Sequence, residues 1–288
     1  MRAMNIVKEI DKIVDLALQE DCAYNDVTSK NLSLETKTAS AVLIVKADGI
    51  ICGIDAFKYV LLKLDKNFKF KVFFKDGDRV KKGDVILTLK GPAAPLLAGE
   101  RTALNFIQKL SGISTTTNQF VQIVKGYKAG IYDTRKTLPG FRNVSKYAVR
   151  CGGGKNHRMN LSDMVLIKDN HLALIDDLPK KVKEIRQKHK KLKILIECEH
   201  EQHVKNAIAA GADIIMLDNM KQPLLSRMVK LIRDSSTKTY KPLIEISGGI
   251  NFETIKNYAK LGIERISIGM ITHSAPSLDI SLEVEVHK

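Results

Sequence analysis

Between positions 133 and 171 the chain carries Arg135, Lys136, Arg142, Lys146, Arg150, Lys155, Arg158 and Lys168 against Asp133, Asp163 and Asp169, with His157 and His171 as further donors. An arginine presents a planar fork that suits a carboxylate, and a lysine presents a point charge that suits a phosphate. Each charge-assisted hydrogen bond contributes about 1.5–3 kcal/mol net, so several converging donors can hold a small, multiply charged anion against its hydration. A solvated basic face is the competing explanation, and it suits Lys146 and Arg150 on a helix surface equally well. It suits Arg135, Lys136 and Lys168 less, because these stand next to the ends of short apolar runs.

Acids and glycines follow downstream. Glu197 and Glu199 flank Cys198 with period two, which predicts both carboxylates on one side of a strand, and Asp218 ends the next apolar run. Carboxylates in a cationic mouth can bind ribose hydroxyls, hold a Mg2+ that bridges phosphate oxygens, or offset positive charge developing on a sugar carbon. Glu199 also fits a structural counter-ion. Ser247-Gly248-Gly249 and Ile268-Gly269 follow the last two apolar runs, where glycine leaves backbone N–H groups open to a phosphate. Gly152-Gly153-Gly154-Lys155 matches neither a Walker loop nor a dinucleotide pattern. It reads as the end of a helix over 143–151 that brings Asn156, His157 and Arg158 toward the site.

These groups need a scaffold that gathers them. Apolar strands at Ile131, Val165–Ile167, Ile194–Ile196, Ile214–Leu217, Leu243–Ile246 and Ile266–Ile268 alternate with amphipathic stretches over 176–189, 200–210, 221–234 and 252–261. That alternation predicts parallel βαβ units, and polar groups at successive strand ends predict a barrel mouth. Too few strands are visible for an eightfold barrel, so a shortened, open one is expected. Ahead of it, the stripe Ile6, Val7, Ile10, Ile13, Val14, Ala17 and Leu18 predicts a helix. Strand-like runs at Ala41–Lys46, Phe70–Phe74 and Val85–Leu89, with a helical run at Tyr59–Leu64, predict a small α+β unit. A long helical pattern starts at Gly99, is expected to break at Gly112, and resumes to about Val124. Asp76–Leu89 shares the hairpin rhythm of biotinyl and lipoyl carriers but lacks their displayed lysine tripeptide.

Composition narrows the partners. The 47 Lys and Arg against 32 Asp and Glu leave a net charge of +15, which favours anionic ligands. With 6% aromatics and no Trp there is little material for stacking bases, which argues against a nucleic-acid platform. No apolar stretch approaches the roughly 20 residues that span a bilayer, and the first twenty residues lack a signal peptide's apolar core. A cytoplasmic protein is expected. Cys22, Cys52, Cys151 and Cys198 are scattered without a zinc-type spacing and read as reduced packing residues without a chemical role.

Seven runs carry a resemblance. They are Gly99-Glu-Arg-Thr-Ala-Leu-Asn105, Asp133-Thr-Arg-Lys-Thr-Leu-Pro-Gly140, Gly152-Gly-Gly-Lys-Asn-His-Arg158, Lys168-Asp-Asn-His171, Glu197-Cys-Glu199, Leu217-Asp-Asn219 and Ser247-Gly-Gly249. In order and spacing they resemble the nicotinate-nucleotide pyrophosphorylase (quinolinate phosphoribosyltransferase) family, and the resemblance extends from Glu20-Asp21 to His273-Ser-Ala-Pro276. Asn25 stands where the family pattern has Gly, a change that leaves the same left-handed backbone accessible.

The resemblance implies an α/β protein of the type II phosphoribosyltransferase kind. It would comprise an N-terminal α/β sandwich over 1–112, a short open (β/α) barrel over 113–272, and a tail over 273–288 that packs back on the N-terminal domain. It further implies that quinolinate and 5-phosphoribosyl 1-diphosphate give nicotinate mononucleotide, diphosphate and CO2, with Mg2+ required and held mainly through the phosphoribosyl donor, near Glu197 and Asp218. Arg135, His157, Arg158 and Lys168 would clamp the two quinolinate carboxylates. Arg101 would join them from a neighbouring subunit, in a homodimer or higher homo-oligomer with a shared active site. Lys136, Glu197 and Asp218 would be catalytic, and with Thr134, Ser247, Gly248, Gly249, Ser267, Gly269 and His273 would hold the phosphoribosyl donor.

Overall fold

The computed structural model describes residues 6–285; residues 1–5 and 286–288, at the outer ends of the expected first domain and tail, lie outside the described residues. The chain divides into two compact units, one of Met1–Gln119, Lys136–Gly154 and Met270–Lys288, the other of Phe120–Arg135 and Lys155–Gly269. The division is discontinuous, whereas the sequence reading expects contiguous segments.

In the first unit, helix α1 (Ile6–Glu20) turns Ile10, Val14 and Leu18 inward at every fourth position, and all three are fully buried. Helix α2 (Val27–Asn31) starts at Asp26, whose carboxylate accepts the N–H groups of Thr28 at 2.9 Å and Ser29 at 3.3 Å. An antiparallel sheet has the order β12-β1-β5-β3, formed by β1 (Thr38–Val45), β3 (Lys69–Val72), β5 (Val85–Pro92) and β12 (Ile280–Glu285). Ala39, Ala41, Leu43 and Val45 alternate inward along β1, the period of a sheet with one buried face. A short ribbon pairs β2 (Gly49–Ile50) with β4 (Arg79–Val80), and α3 (Ile54–Leu64) lies between them in sequence.

Helix α4 (Ala93–Ile123) runs unbroken through Gly112, which corrects the expected break. A Cβ on Gly112 would stand 1.9 Å from the Pro276 carbonyl oxygen, so this glycine admits a crossing chain instead of ending a helix. Gly99 likewise sits inside α4, where a Cβ would meet the Leu64 side chain at 2.7 Å. Helices α5 (Arg142–Cys151) and α11 (Met270–His273) also belong to this unit, with α5 packed on α1 and α11. Lys146 of α5 is 1% exposed, so it does not lie on a solvated helix face, whereas Arg150 does.

The second unit is a parallel six-stranded sheet of order β6-β11-β10-β9-β8-β7. Its strands are β6 (Gly130–Tyr132), β7 (Val165–Ile167), β8 (Ile194–Cys198), β9 (Ile214–Asp218), β10 (Leu243–Ser247) and β11 (Arg265–Ser267). They are linked by α6 (Asp169–Leu172), α7 (Leu178–Lys188), α8 (Glu201–Ala209), α9 (Leu224–Asp234) and α10 (Ile255–Ala259). All five residues of β8 and four of β9 are buried, the near-continuous apolar run of strands covered on both faces. β6 and β7 form the two ends of the strand order, so the sheet is open, as expected.

Candidate active site

The expected mouth lies at the carboxyl ends of the second unit's strands, and it is built on buried acids. Asp133, directly after β6, is fully buried. Its carboxylate accepts the Asn156 side-chain amide at 2.5 Å and the His157 backbone N–H at 2.9 Å. Lys155 N–H donates to the Ile131 carbonyl at 2.7 Å, and Asp133 N–H donates to the Lys155 carbonyl at 3.1 Å. The segment that emerges from the glycine run is therefore laid alongside β6, and this fixes where His157 and Arg158 start.

A second buried acid does the same for the imidazole. Glu245, in the middle of β10, is 0% exposed and accepts the Arg265 Nε at 2.5 Å and the Ser267 hydroxyl. The His157 Nε2 lies 3.3 Å from its Oε1, while His157 Nδ1 accepts the Arg158 backbone N–H at 2.8 Å. With Nδ1 acting as acceptor, the Nε2 edge of the ring is the one turned to the carboxylate. Burial raises the Glu245 carboxyl, but the His157 hydrogen bond and the Arg265 charge outweigh it and hold it below the usual carboxylate range. The Arg265 guanidinium stacks 3.9 Å from the Tyr132 ring centroid. Glu245 escaped the sequence reading; its only signal is a charged residue inside the apolar run Leu243-Ile-Glu-Ile-Ser247.

The same unit carries two guanidinium groups, Arg135 and Arg158. Arg158 donates from Nη1 to the Met164 carbonyl at 3.1 Å. Burial, and then the charge of Arg135, push its pKa down, opposed by Asp163. Two like charges close enough to destabilise each other invite an anion. The Arg135 Nε is buried without a hydrogen-bond partner among the described residues, an orphaned donor of the kind that calls for a ligand.

The acidic side of the rim follows. Glu197, 8% exposed, lies on β8 with its Oε2 3.3 Å from the Lys168 Nζ. Burial raises its pKa, Lys168 opposes, and the nearby Asp218 raises it further. Asp218 accepts the Asn219 side-chain amide at 2.8 Å. Asn219 itself adopts a left-handed φ of 52° and donates its N–H to the Ser247 carbonyl at 3.1 Å. Gly248 has φ +88°, and a Cβ there would stand 2.2 Å from the Asn219 Oδ1, so Asn219 fills the space beside it. At Gly249, φ +60°, a Cβ would meet nothing within 4 Å. Both glycines adopt a left-handed φ, and at Gly249 the side that a Cβ would take is open. Glu199 is exposed and follows the end of β8 at Cys198, so period two does not carry to it; its charge acts on His203.

The structure brings Arg135, His157, Arg158, Lys168, Glu197, Asp218, Ser247, Gly248, Gly249 and Ser267 into the second unit, with half-buried Thr134 beside Arg135 and with Gly269 at the unit's edge. The Ser267 hydroxyl is turned inward to Glu245. Arg101, Lys136 and His273 belong to the first unit. Arg101 is exposed on α4 in a concavity of about 500 Å³ lined by Glu20, Asp21, Asn105 and Lys109 among others. The Lys136 carbonyl accepts the Thr272 hydroxyl at 2.8 Å, and His273 Nδ1 lies 2.5 Å from the Ser274 hydroxyl.

Glu197 and Asp218 are the donors on this rim suited to a hard divalent cation. Among the described residues no third carboxylate, histidine or cysteine converges with them, so such a cation fits only if substrate or water oxygens complete its shell.

Comparison with known proteins bears on the fold and the family. The quinolinate phosphoribosyl transferase C-terminal domain family matches residues 113–283, and the corresponding N-terminal domain family matches residues 26–111. A probable nicotinate-nucleotide pyrophosphorylase (carboxylating) of Bacillus subtilis is 41% identical over 277 residues, covering 96% of this chain and 93% of the relative. The nicotinate-nucleotide pyrophosphorylase (carboxylating) of Mycobacterium leprae is 36% identical and covers 93% and 94%. Among solved structures, the nicotinate-nucleotide pyrophosphorylase of Francisella tularensis superposes with a TM-score of 0.88 at 38% identity, covering 96% of each chain. NadC of Streptococcus pyogenes gives 0.91 at 36% identity, covering 100% of each. With both domains matched and full-length relatives at this identity, the chain belongs to the quinolinate phosphoribosyltransferase family.

Proposed function

We propose that this chain transfers the phosphoribosyl group of 5-phosphoribosyl 1-diphosphate to the ring nitrogen of quinolinate, releasing diphosphate and CO2 and leaving nicotinate mononucleotide. The observation that carries the proposal is the Arg135–Arg158 pair, two mutually repelling guanidinium groups with a buried, unpartnered Nε. A pyridine with two adjacent carboxylates supplies two negative charges and the acceptors these groups lack.

In this reading Arg135, Arg158, His157 and Lys168 bind and orient quinolinate. Arg101 completes the clamp from a neighbouring copy, in a homodimer or larger homo-oligomer; its exposure on a concave face of the first unit supports that role. Lys136, Glu197, Asp218, Thr134, the Ser247–Gly249 turn, Gly269 and His273 hold the donor, with Gly249 the open point of approach and Ser267 contributing through its main chain. Mg2+, held by Glu197 and Asp218 together with the donor's own oxygens, would neutralise charge on the departing diphosphate.

As diphosphate leaves, positive charge builds on the ribose C1, where the Glu197 and Asp218 carboxylates can offset it. Lys168 beside Glu197 opposes the rise that burial imposes on its pKa and so favours the ionised form that this role needs. Once ribosylated, the ring nitrogen is cationic and accepts the electron pair freed when the C2–carboxylate bond breaks. CO2 departs and a proton takes its place on C2. No covalent nucleophile is needed, and the side chains act by position and charge. The net charge of +15 suits two anionic substrates. No described helix is long and apolar enough to cross a membrane. Four thiols without disulfides support a reducing, cytoplasmic setting.

The direct test is absorbance-monitored consumption of quinolinate with the phosphoribosyl donor and Mg2+. Turnover is expected with quinolinate, while activity on nicotinate alone would favour a one-carboxylate relative. Arg135→Ala is expected to lower kcat/KM by roughly 100-fold or more, about 3 kcal/mol, with the melting temperature nearly unchanged; full retained activity would refute the site. Glu245→Gln tests positioning through His157. The KM for quinolinate is expected to rise about tenfold while that for the phosphoribosyl donor holds, alongside a lower melting temperature from a broken buried ion pair. A lower melting temperature with an unmoved quinolinate KM would make Glu245 purely structural. Mixing Arg101→Ala with Lys168→Ala chains is expected to restore part of the activity through hybrids with one intact site, and no recovery despite proven mixing would remove the shared pocket.

A further inference from the structure

The first unit holds a second convergence of reactive side chains, at cysteines the sequence reading assigned to packing. Cys52 is fully buried two residues before α3, Asp76 lies between β3 and β4, and Cys151 is the last residue of α5. Their ligand atoms, two sulfurs and a carboxylate oxygen, all stand within 4.8 Å of one another, with Cys52 Sγ 4.0 Å from Asp76 Oδ2.

Each of the three is fixed by its surroundings. Asp76 Oδ1 accepts the N–H of Ile54, the first residue of α3, at 3.1 Å. Its Oδ2 accepts the Tyr147 hydroxyl at 2.8 Å, and Tyr147 stands one helical turn before Cys151 on α5. Cys52 is held from both sides by Ser111, whose hydroxyl accepts its N–H at 2.9 Å and donates to its carbonyl at 3.0 Å. Gly77, φ +96°, brings the Asp76 loop onto α5, where a Cβ would stand 3.5 Å from the Cys151 carbonyl.

We propose that Cys52, Asp76 and Cys151 form a binding site for one zinc-class divalent cation, with a water or the Tyr147 hydroxyl as fourth ligand. Zinc binds thiolate at about 2.3 Å and carboxylate at about 2.0–2.2 Å, so tetrahedral ligand atoms stand roughly 3.4–3.8 Å apart. From ligand atoms within 4.8 Å of one another, the cluster reaches that spacing by closing about 1.4 Å at most, a movement that rotation of the thiols can supply. Two sulfurs with one oxygen select zinc over magnesium or calcium, which take oxygen shells.

Binding of the cation displaces one proton from each thiol into solvent, leaves both sulfurs bound as thiolates, and changes no oxidation state. The ion would tie the entry to α3, the Asp76 loop and the end of α5 into one knot. From that knot the chain passes through Gly152–Gly154 to His157 and Arg158.

The test uses the full-length chain, reduced and stripped of metal, in equilibrium dialysis against Zn2+. One Zn2+ per chain is expected, with affinity at least about tenfold weaker in Asp76→Asn and the site lost in Cys52→Ser/Cys151→Ser. Co2+ in place of Zn2+ is expected to give a thiolate-to-metal absorption band in wild type that is absent from Cys151→Ser. That single variant, at a half-buried position, keeps the test open should the double variant fail to fold. Quinolinate turnover with Mg2+ reports the fold of each variant. Undiminished Zn2+ binding by a folded cysteine variant, or wild-type Co2+ binding without a thiolate band, would overturn the proposal.

Discussion

The Arg158 guanidinium stands on a partly desolvated rim, where burial, and then the charge of Arg135, make its own charge harder to keep. An unpartnered buried donor such as the Arg135 Nε costs about 1–3 kcal/mol. Two buried acids hold the segment that carries Arg158. Asp133 pins the backbone at His157 from β6, and Glu245 pins the imidazole from β10. Preorganisation of this kind lets binding energy go into orientation instead of ordering side chains at the moment of reaction.

On the acidic side of the rim, Lys168 stands 3.3 Å from Glu197. Glu197 is raised by burial and by Asp218 but restrained by Lys168, so its charge depends on what occupies both sides of that contact. A ligand that is anionic at one end and develops positive charge at the other matches this polarity. The open parallel sheet makes the juxtaposition possible, because β6, β8, β9 and β10 all deliver their ends to one side.

The rim was legible in the sequence because charged residues at the ends of apolar runs survive any error in strand boundaries. Arg135, Lys168, Glu197 and Asp218 stand at or beside such ends, and all four lie in the second unit. What the runs concealed was Glu245, whose acid lies inside a strand and whose partners His157 and Arg265 are distant in sequence. Glycine misled at Gly112, which resembles a helix breaker yet is required by a nearby atom, the Pro276 carbonyl. Lys146 reads as a surface lysine until its burial within the first unit is seen. Cys52, Asp76 and Cys151 have no local spacing at all, and only tertiary structure joins them.

The most direct measurement of the central claim is a crystal structure of this protein with quinolinate bound. The account requires carboxylate oxygens at about 2.7–2.9 Å from the Arg135 Nε and from the Arg158 guanidinium, with Glu245 still holding His157. A dicarboxylate seated elsewhere, with the Arg135 Nε still unpartnered, would contradict it.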